Sequence, residues 1–297
     1  PIGLEGIAAT TTWSGLKKNT SLRELTLNFS RNATTDYDYH ILTSLCDHPH
    51  LRKLCLHGYM DGLETVLLSD ASKITELDIH MSSRGRPVMG FTHVLRALAR
   101  RPTLTKLGQR RVRLGRDEAR LLRMALCNTP NLLTLSSAYS TLESAELAEL
   151  APALYHNTSI KVLDLSWNYL NDMVFAQVLR DILRNNKTIT TLDLSGNKFG
   201  DTTGAVDCIA DGLGSNSTLL KIDLSSCALR DVGVFTLAQT LGSRNTTLQK
   251  LALGRNSNTS ASLRVLLETM EQNSHHISEL DLERNPNIGN EGASLLA

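Results

Sequence analysis

Cys55, His57, Asp78 and His80 are residues whose types and spacing could do chemistry. Cys55 and His57 alternate in KLCLH, and Asp78 and His80 alternate in ELDIH. Alternate residues of a strand share a face, so two such strands side by side would gather the four within about 5 to 7 Å. A thiol, a carboxylate and two imidazoles at that range could bind zinc or build a nucleophile and its base. Cys46, His48 and His50 lie just upstream. Against this, paired C-x-x-C motifs are absent and nothing nearby suggests an oxyanion hole. No catalytic residue, metal ligand or cofactor is assigned, the chain is read as no enzyme, and His57 and His80 are taken as polar contacts to a partner.

Three further groups suit binding. Asp164, Asp193, Asp223 and Asp281 recur in LDLS, LDLS, IDLS and LDLE. On adjacent strands the first three would lie about 5 Å apart, close enough to raise each other's pKa and to favour a cationic partner. The competing reading is scaffold, with Lys161, Lys221 and water screening the charge. Tyr139 and Trp167 stand out in a chain with 4% aromatic residues. Both occupy the same place in their repeats, so they are expected as neighbours at one rim, either as binding anchors or packed against a loop. Between Arg84 and Arg123 twelve Lys/Arg face Asp117 and Glu118, a local net of +10 in a chain of +1.

Within that stretch Gln109 replaces a strand leucine, and Arg110, Arg111 and Arg113 follow it, which predicts a broken strand carrying a basic patch. Arg110 and Arg111 could dock phosphate or an acidic protein segment. Arg96, Arg100, Arg116, Arg120 and Arg123 are expected on helices, where charge is ordinarily solvated, and no aromatic stacking platform accompanies them. Nucleic acid is therefore disfavoured.

The elements that must position these residues follow from a repeat. A Leu/Ile-x-x-Leu/Ile-x-Leu/Ile pattern, sometimes worn, begins at Leu22, Leu51, Ile74, Leu104, Leu132, Ile160, Ile189, Leu219, Leu248 and Ile277, with steps of 23 to 30 residues. In one copy, Leu163-Asp164-Leu165 alternates as a short strand, and Asp172 to Leu183 places Val174, Val178, Leu179 and Ile182 at helical spacing. Strand, turn, helix and turn then recur, which stacks parallel strands on one face and helices on the other. Because a helix is wider than the roughly 4.8 Å strand spacing, the stack should curve with its strands on the concave side. Asn168, Asn197, Asn256 and Asn285, with Cys227 once in their place, should point inward and bond turn backbone.

IKVLDLSWN, ITTLDLSGN, LLKIDLSSC, LQKLALGRN and ISELDLERN resemble leucine-rich repeats. The long period and the turns LSGNKFGDTTGAVDCIADGL, CALRDVGVFTLAQTL and NPNIGNEGASLLA resemble the ribonuclease-inhibitor-like class, found in intracellular nucleotide-binding receptors, Ran GTPase-activating proteins and ribonuclease inhibitors. The resemblance implies an α/β fold: a right-handed curved solenoid of about ten repeats, with a parallel sheet inside and helices outside. One continuous domain is expected over 1–297, irregular over 1–131 and regular over 132–297.

Five scattered cysteines argue for a reducing compartment. Eight N-x-S/T sequons argue the other way, yet Asn157, Asn186, Asn216 and Asn245 sit at equivalent turns where local hydrogen bonding explains them. No run approaches the roughly 18 to 20 apolar residues of a membrane span. Leu4 to Leu16 reads as the helix of an earlier repeat, and neither end carries a polar cap, so the chain is expected to be part of something longer, with flanking domains. The expected function is a cytoplasmic, non-catalytic module binding a protein on its concave face. The alternative is a GTPase-activating regulator of the Ran type.

Overall fold

The computed structural model describes residues 18–29, 42–58, 62–81, 91–272 and 277–296. The helix expected over Leu4 to Leu16, the sequon at Asn32, and Arg84 and Arg86 lie outside them. The chain forms two compact units, Pro1–Thr141 and Leu142–Ala297. Each is an α/β solenoid of parallel strands backed by helices.

The first unit holds β1 (Glu24–Asn28), β2 (Lys53–His57), β3 (Glu76–His80), β4 (Lys106–Arg110) and β5 (Thr134–Ser136), with α1 (Leu63–Leu68), α2 (Phe91–Leu98) and α3 (Arg116–Asn128) on the other side. Each strand pairs in parallel with the next repeat's strand, and the register is simple: Leu25, Leu54, Leu77, Leu107 and Leu135 align in one row. The alternation Leu-x-Leu sends one row inward, where Leu54, Leu56, Leu77 and Ile79 are fully buried, and leaves the intervening side chains on the open strand face.

The second unit repeats this with α4 (Ser144–His156), β6 (Val162–Asp164), α5 (Met173–Asn185), β7 (Thr191–Asp193), α6 (Ala205–Ser215), β8 (Lys221–Asp223), α7 (Arg230–Ser243), β9 (Lys250–Ala252), α8 (Ser260–Gln272), β10 (Glu279–Asp281) and α9 (Gly289–Leu295). Its strands are three residues long, whereas β1 to β4 are five. Helix residues Phe175, Leu179 and Ile182 bury against the strand leucines, and the rings of Phe175 and Phe199 meet at 5.5 Å.

Two asparagine ladders tie successive repeats. In the first, Asn197 accepts from the backbone N–H of Asn168 (3.1 Å) and Leu170 (3.3 Å) and donates to the carbonyls of Leu165 (3.0 Å) and Leu194 (2.9 Å). Asn256 and Asn285 do the same two and three repeats later. Cys227 fills its turn of the ladder by donating its thiol to Leu194 O at 3.3 Å. Four of the sequons form the second ladder. Asn186, for example, accepts from Thr188 N and Ile189 N, both at 2.8 Å, and donates to the buried carbonyl of Leu154 at 2.8 Å. Asn216 and Asn245 are buried in the same role, so their amide nitrogens point into the protein rather than toward solvent.

The irregular repeats solve the same problem with other residues. His48 Nδ1 accepts from Leu51 N at 3.0 Å, and Arg101 donates to Ser69 O (3.1 Å) and Ser72 O (2.8 Å) from the equivalent position. The fourth strand is not broken. β4 runs unbroken to Arg110: the buried Gln109 stands where a leucine is expected and donates its amide N–H to Ser137 Oγ at 2.7 Å, while its Oε1 has no hydrogen-bond partner among the described residues.

Candidate functional site

The strand face of the first unit gathers candidates that lie far apart in sequence. Register aligns Asn28, His57, His80 and Arg110 in one cross-strand row. The rings of His57 and His80 lie 4.6 Å apart, and the Arg110 guanidinium sits 5.6 Å from the centre of the Tyr139 ring, a cation–π contact. His57, His80, Arg110 and Tyr139 thus follow one another across successive repeats. Arg111 is exposed, with a left-handed backbone (φ 59°), just past the strand end.

A second row, Thr26, Cys55, Asp78, Gly108 and Ser136, runs beside it. Cys55 Sγ is 3.5 Å from His57 Nε2. Asp78 is claimed by Lys106 at 3.0 Å and lies over Gly108, where a Cβ would collide with its carboxylate. Burial pushes the Cys55 thiol up, and the Asp78 charge adds to this, so the thiolate a nucleophile or metal ligand requires is disfavoured. Burial also holds His80 below the usual imidazole value, with His57 and Arg110 acting in the same direction. Among the described residues no three His, Cys, Asp or Glu side chains converge to hold a metal ion.

In the second unit Asp164, Asp193 and Asp223 are register partners, half-buried on the strand face. Each carboxylate also closes its own turn. Asp164 accepts from Ser166 N (3.0 Å) and Oγ (2.7 Å), Asp193 from Ser195 N (2.9 Å), and Asp223 from Ser225 N (2.9 Å). These bonds give the row a scaffold role in addition to any partner. Burial pushes the Asp193 carboxyl up, the bonds from Ser195 oppose this, and the neighbouring Asp164 and Asp223 charges raise it further.

Trp167 is 42% exposed, yet its place is tightly specified. Its backbone N–H donates to Ser195 O at 2.6 Å, its backbone is left-handed (φ 56°), and its indole packs against Gly196. A Cβ there would stand 2.5 Å from the indole Cδ2, and Gly196 itself has φ 76°, so glycine is needed at that point twice over. The left-handed residue before each ladder position is a feature that the pattern of types did not disclose. Arg111, Tyr139, Trp167, Gly196, Ser226, Arg255 and Arg284 all adopt it, and only one of them is glycine.

A leucine-rich-repeat model matches residues 156–172, 185–203, 215–238 and 273–297. The chain is a leucine-rich-repeat domain, and its curated relatives are NACHT, LRR and PYD domains-containing proteins. It is 33% identical over 156 residues to human NACHT, LRR and PYD domains-containing protein 12, covering 52% of this chain and 14% of that protein. It is 28% identical over 210 residues to human NACHT, LRR and PYD domains-containing protein 13, covering 68% of this chain and 20% of that protein. The chain therefore spans a fifth or less of either relative's length. The yeast complex of Rad7 and Elc1 contains a chain of the same fold, with a TM-score of 0.56 at 15% identity, covering 96% of this chain and 69% of that one. Repeats and relatives together make this a protein-interaction module. No helix among the described residues is long and apolar enough to cross a membrane.

Proposed function

We propose that this domain recognises a protein partner across the strand faces of its repeats, as the non-catalytic recognition or regulatory part of a larger cytoplasmic protein. The observation that carries the reading is Trp167, a large aromatic side chain left exposed but fixed against Gly196. An aromatic group that is already ordered loses little entropy on binding, which is the usual property of an interface anchor. Asp164, Asp193 and Asp223 suit a basic segment of that partner, while His57, His80, Arg110 and Arg111, with Tyr139 beneath the Arg110 guanidinium, suit an acidic one.

The test is a pair of single variants, Trp167→Ala and Tyr139→Ala, compared with wild type by quantitative affinity capture followed by titration of each enriched protein. Both variants should keep the wild-type melting curve, and a true partner should bind at least about tenfold more weakly, the loss expected of an interface anchor. Unchanged affinity in both variants would sink the assignment. Stimulated GTP hydrolysis by an added small GTPase would favour the Ran-regulator reading instead.

A further inference from the structure

The helix face of the first unit carries a feature that the strand-face reading does not use. Helix α1 is only 6 residues long and α2 has 8 described residues, whereas α3 has 13. The short α1 belongs to the repeat that begins at Leu51 and is followed only 23 residues later by Ile74. The three helices line an open groove of about 440 Å³. Leu68 of α1 and Met124 of α3 line it and are 46% and 55% exposed, although large apolar side chains are mostly buried elsewhere in the described residues. Leu121 adds to this apolar lining.

Charge restricts what can fill it. Arg96 and Arg100, both exposed and four residues apart, line the groove, with Glu64 its one carboxylate. Along α3, Arg116, Arg120 and Arg123 outnumber Asp117 and Glu118. An apolar trough edged by guanidinium groups matches a helix that presents leucine-like side chains on one face and carboxylates beside them. Bare phosphate or nucleic acid would leave the apolar lining in water, and His93 is the one ring among the lining residues, too little for a run of stacked bases.

We infer that this groove docks an acidic amphipathic helix of a partner protein, its apolar residues seated between Leu68 and Met124 and its carboxylates on Arg96 and Arg100. The inference is independent of the strand-face partner.

The probe is a fluorescein-labelled peptide of about 18 residues, long enough for five turns, with Leu at helical i, i+3, i+4 and i+7 spacing and Glu at the flanking positions. Titrated with the whole 297-residue chain, it should bind saturably and more weakly as salt rises. The double variant Arg96→Glu/Arg100→Glu, and separately Met124→Ser or Leu68→Ser, should each weaken binding at least about tenfold while melting like wild type. Trp167→Ala should bind the peptide unchanged. Analogues with Glu replaced by Lys, or Leu by Ser, should not bind. Lack of binding, equal binding by the charge-reversed and wild-type proteins, or binding of the Lys analogue would overturn the proposal. So would loss of anionic vesicle binding in the charge-reversed variant without any peptide binding. A concentration-dependent dimer abolished by Met124→Ser would assign the groove to a second copy and overturn it too.

Discussion

Asn197 shows how much of this fold rests on single side chains. Fully buried, it satisfies two backbone donors and two backbone acceptors on two repeats. Asn197→Ala strands several of these groups without solvent, at about 1 to 3 kcal/mol for each one left unpaired. Urea unfolding should show a loss of roughly 2 to 4 kcal/mol, and a change below about 0.5 kcal/mol would mean that the ladder is dispensable. Asp193 tests the opposite case. Its folded pKa is raised, chiefly by burial, so the folded state holds the proton more tightly than the unfolded chain does. Its carboxylate therefore costs stability above the folded pKa, and that cost vanishes as pH falls below the unfolded value of about 4. Asp193→Asn keeps an oxygen to accept from Ser195 N, so the variant should melt higher than wild type at pH 7, with the gap closing as pH falls toward 4. A gap independent of pH would remove charge as its cause.

At the scale of elements, the entry of α5 is tied to a neighbouring repeat as well as to its own first turn. Asp172 accepts from Phe175 N at 2.8 Å as the cap of α5 and also from Ser144 Oγ at 2.6 Å at the start of α4. Asp172→Ala should cost about 1 to 2 kcal/mol, the value of a cap plus one hydrogen bond, read as a lower denaturation midpoint with an unchanged m-value. Serine at the same position should recover part of the loss. The element most misjudged from sequence was β4. A glutamine in place of a leucine looks like a break when the strand is considered alone, but Ser137 in the next repeat supplies the partner that lets it be buried. Likewise Cys46, His48 and His50 look like ligands on paper, whereas the Nδ1 of His48 is spent on the backbone of the Leu51 turn.

Over the whole molecule the regular period made the solenoid legible, because each repeat carries its own strand leucines and turn asparagines within about thirty residues. The sequons illustrate the same economy: one recurrent Asn before the strand both accepts from its own turn and donates to the previous repeat. What stayed hidden were relations between repeats. His57 and His80 were expected side by side, but that Arg110 and Tyr139 continue their row depends on which residues register places opposite each other. The seat of Trp167 on Gly196 depends on a left-handed turn repeated once per strand.

The amino-acid sequence by itself determined the repeat, the parallel strands, the inward leucines and the asparagine ladders, since all of these follow from residue types at fixed local offsets. Only the tertiary structure decided that Arg110 and Tyr139 continue the row of His57 and His80, which thiol and which carboxylates are buried, and that α1, α2 and α3 leave a basic, apolar groove. Those properties belong to the space between repeats, and no offset along one chain encodes the distance across it.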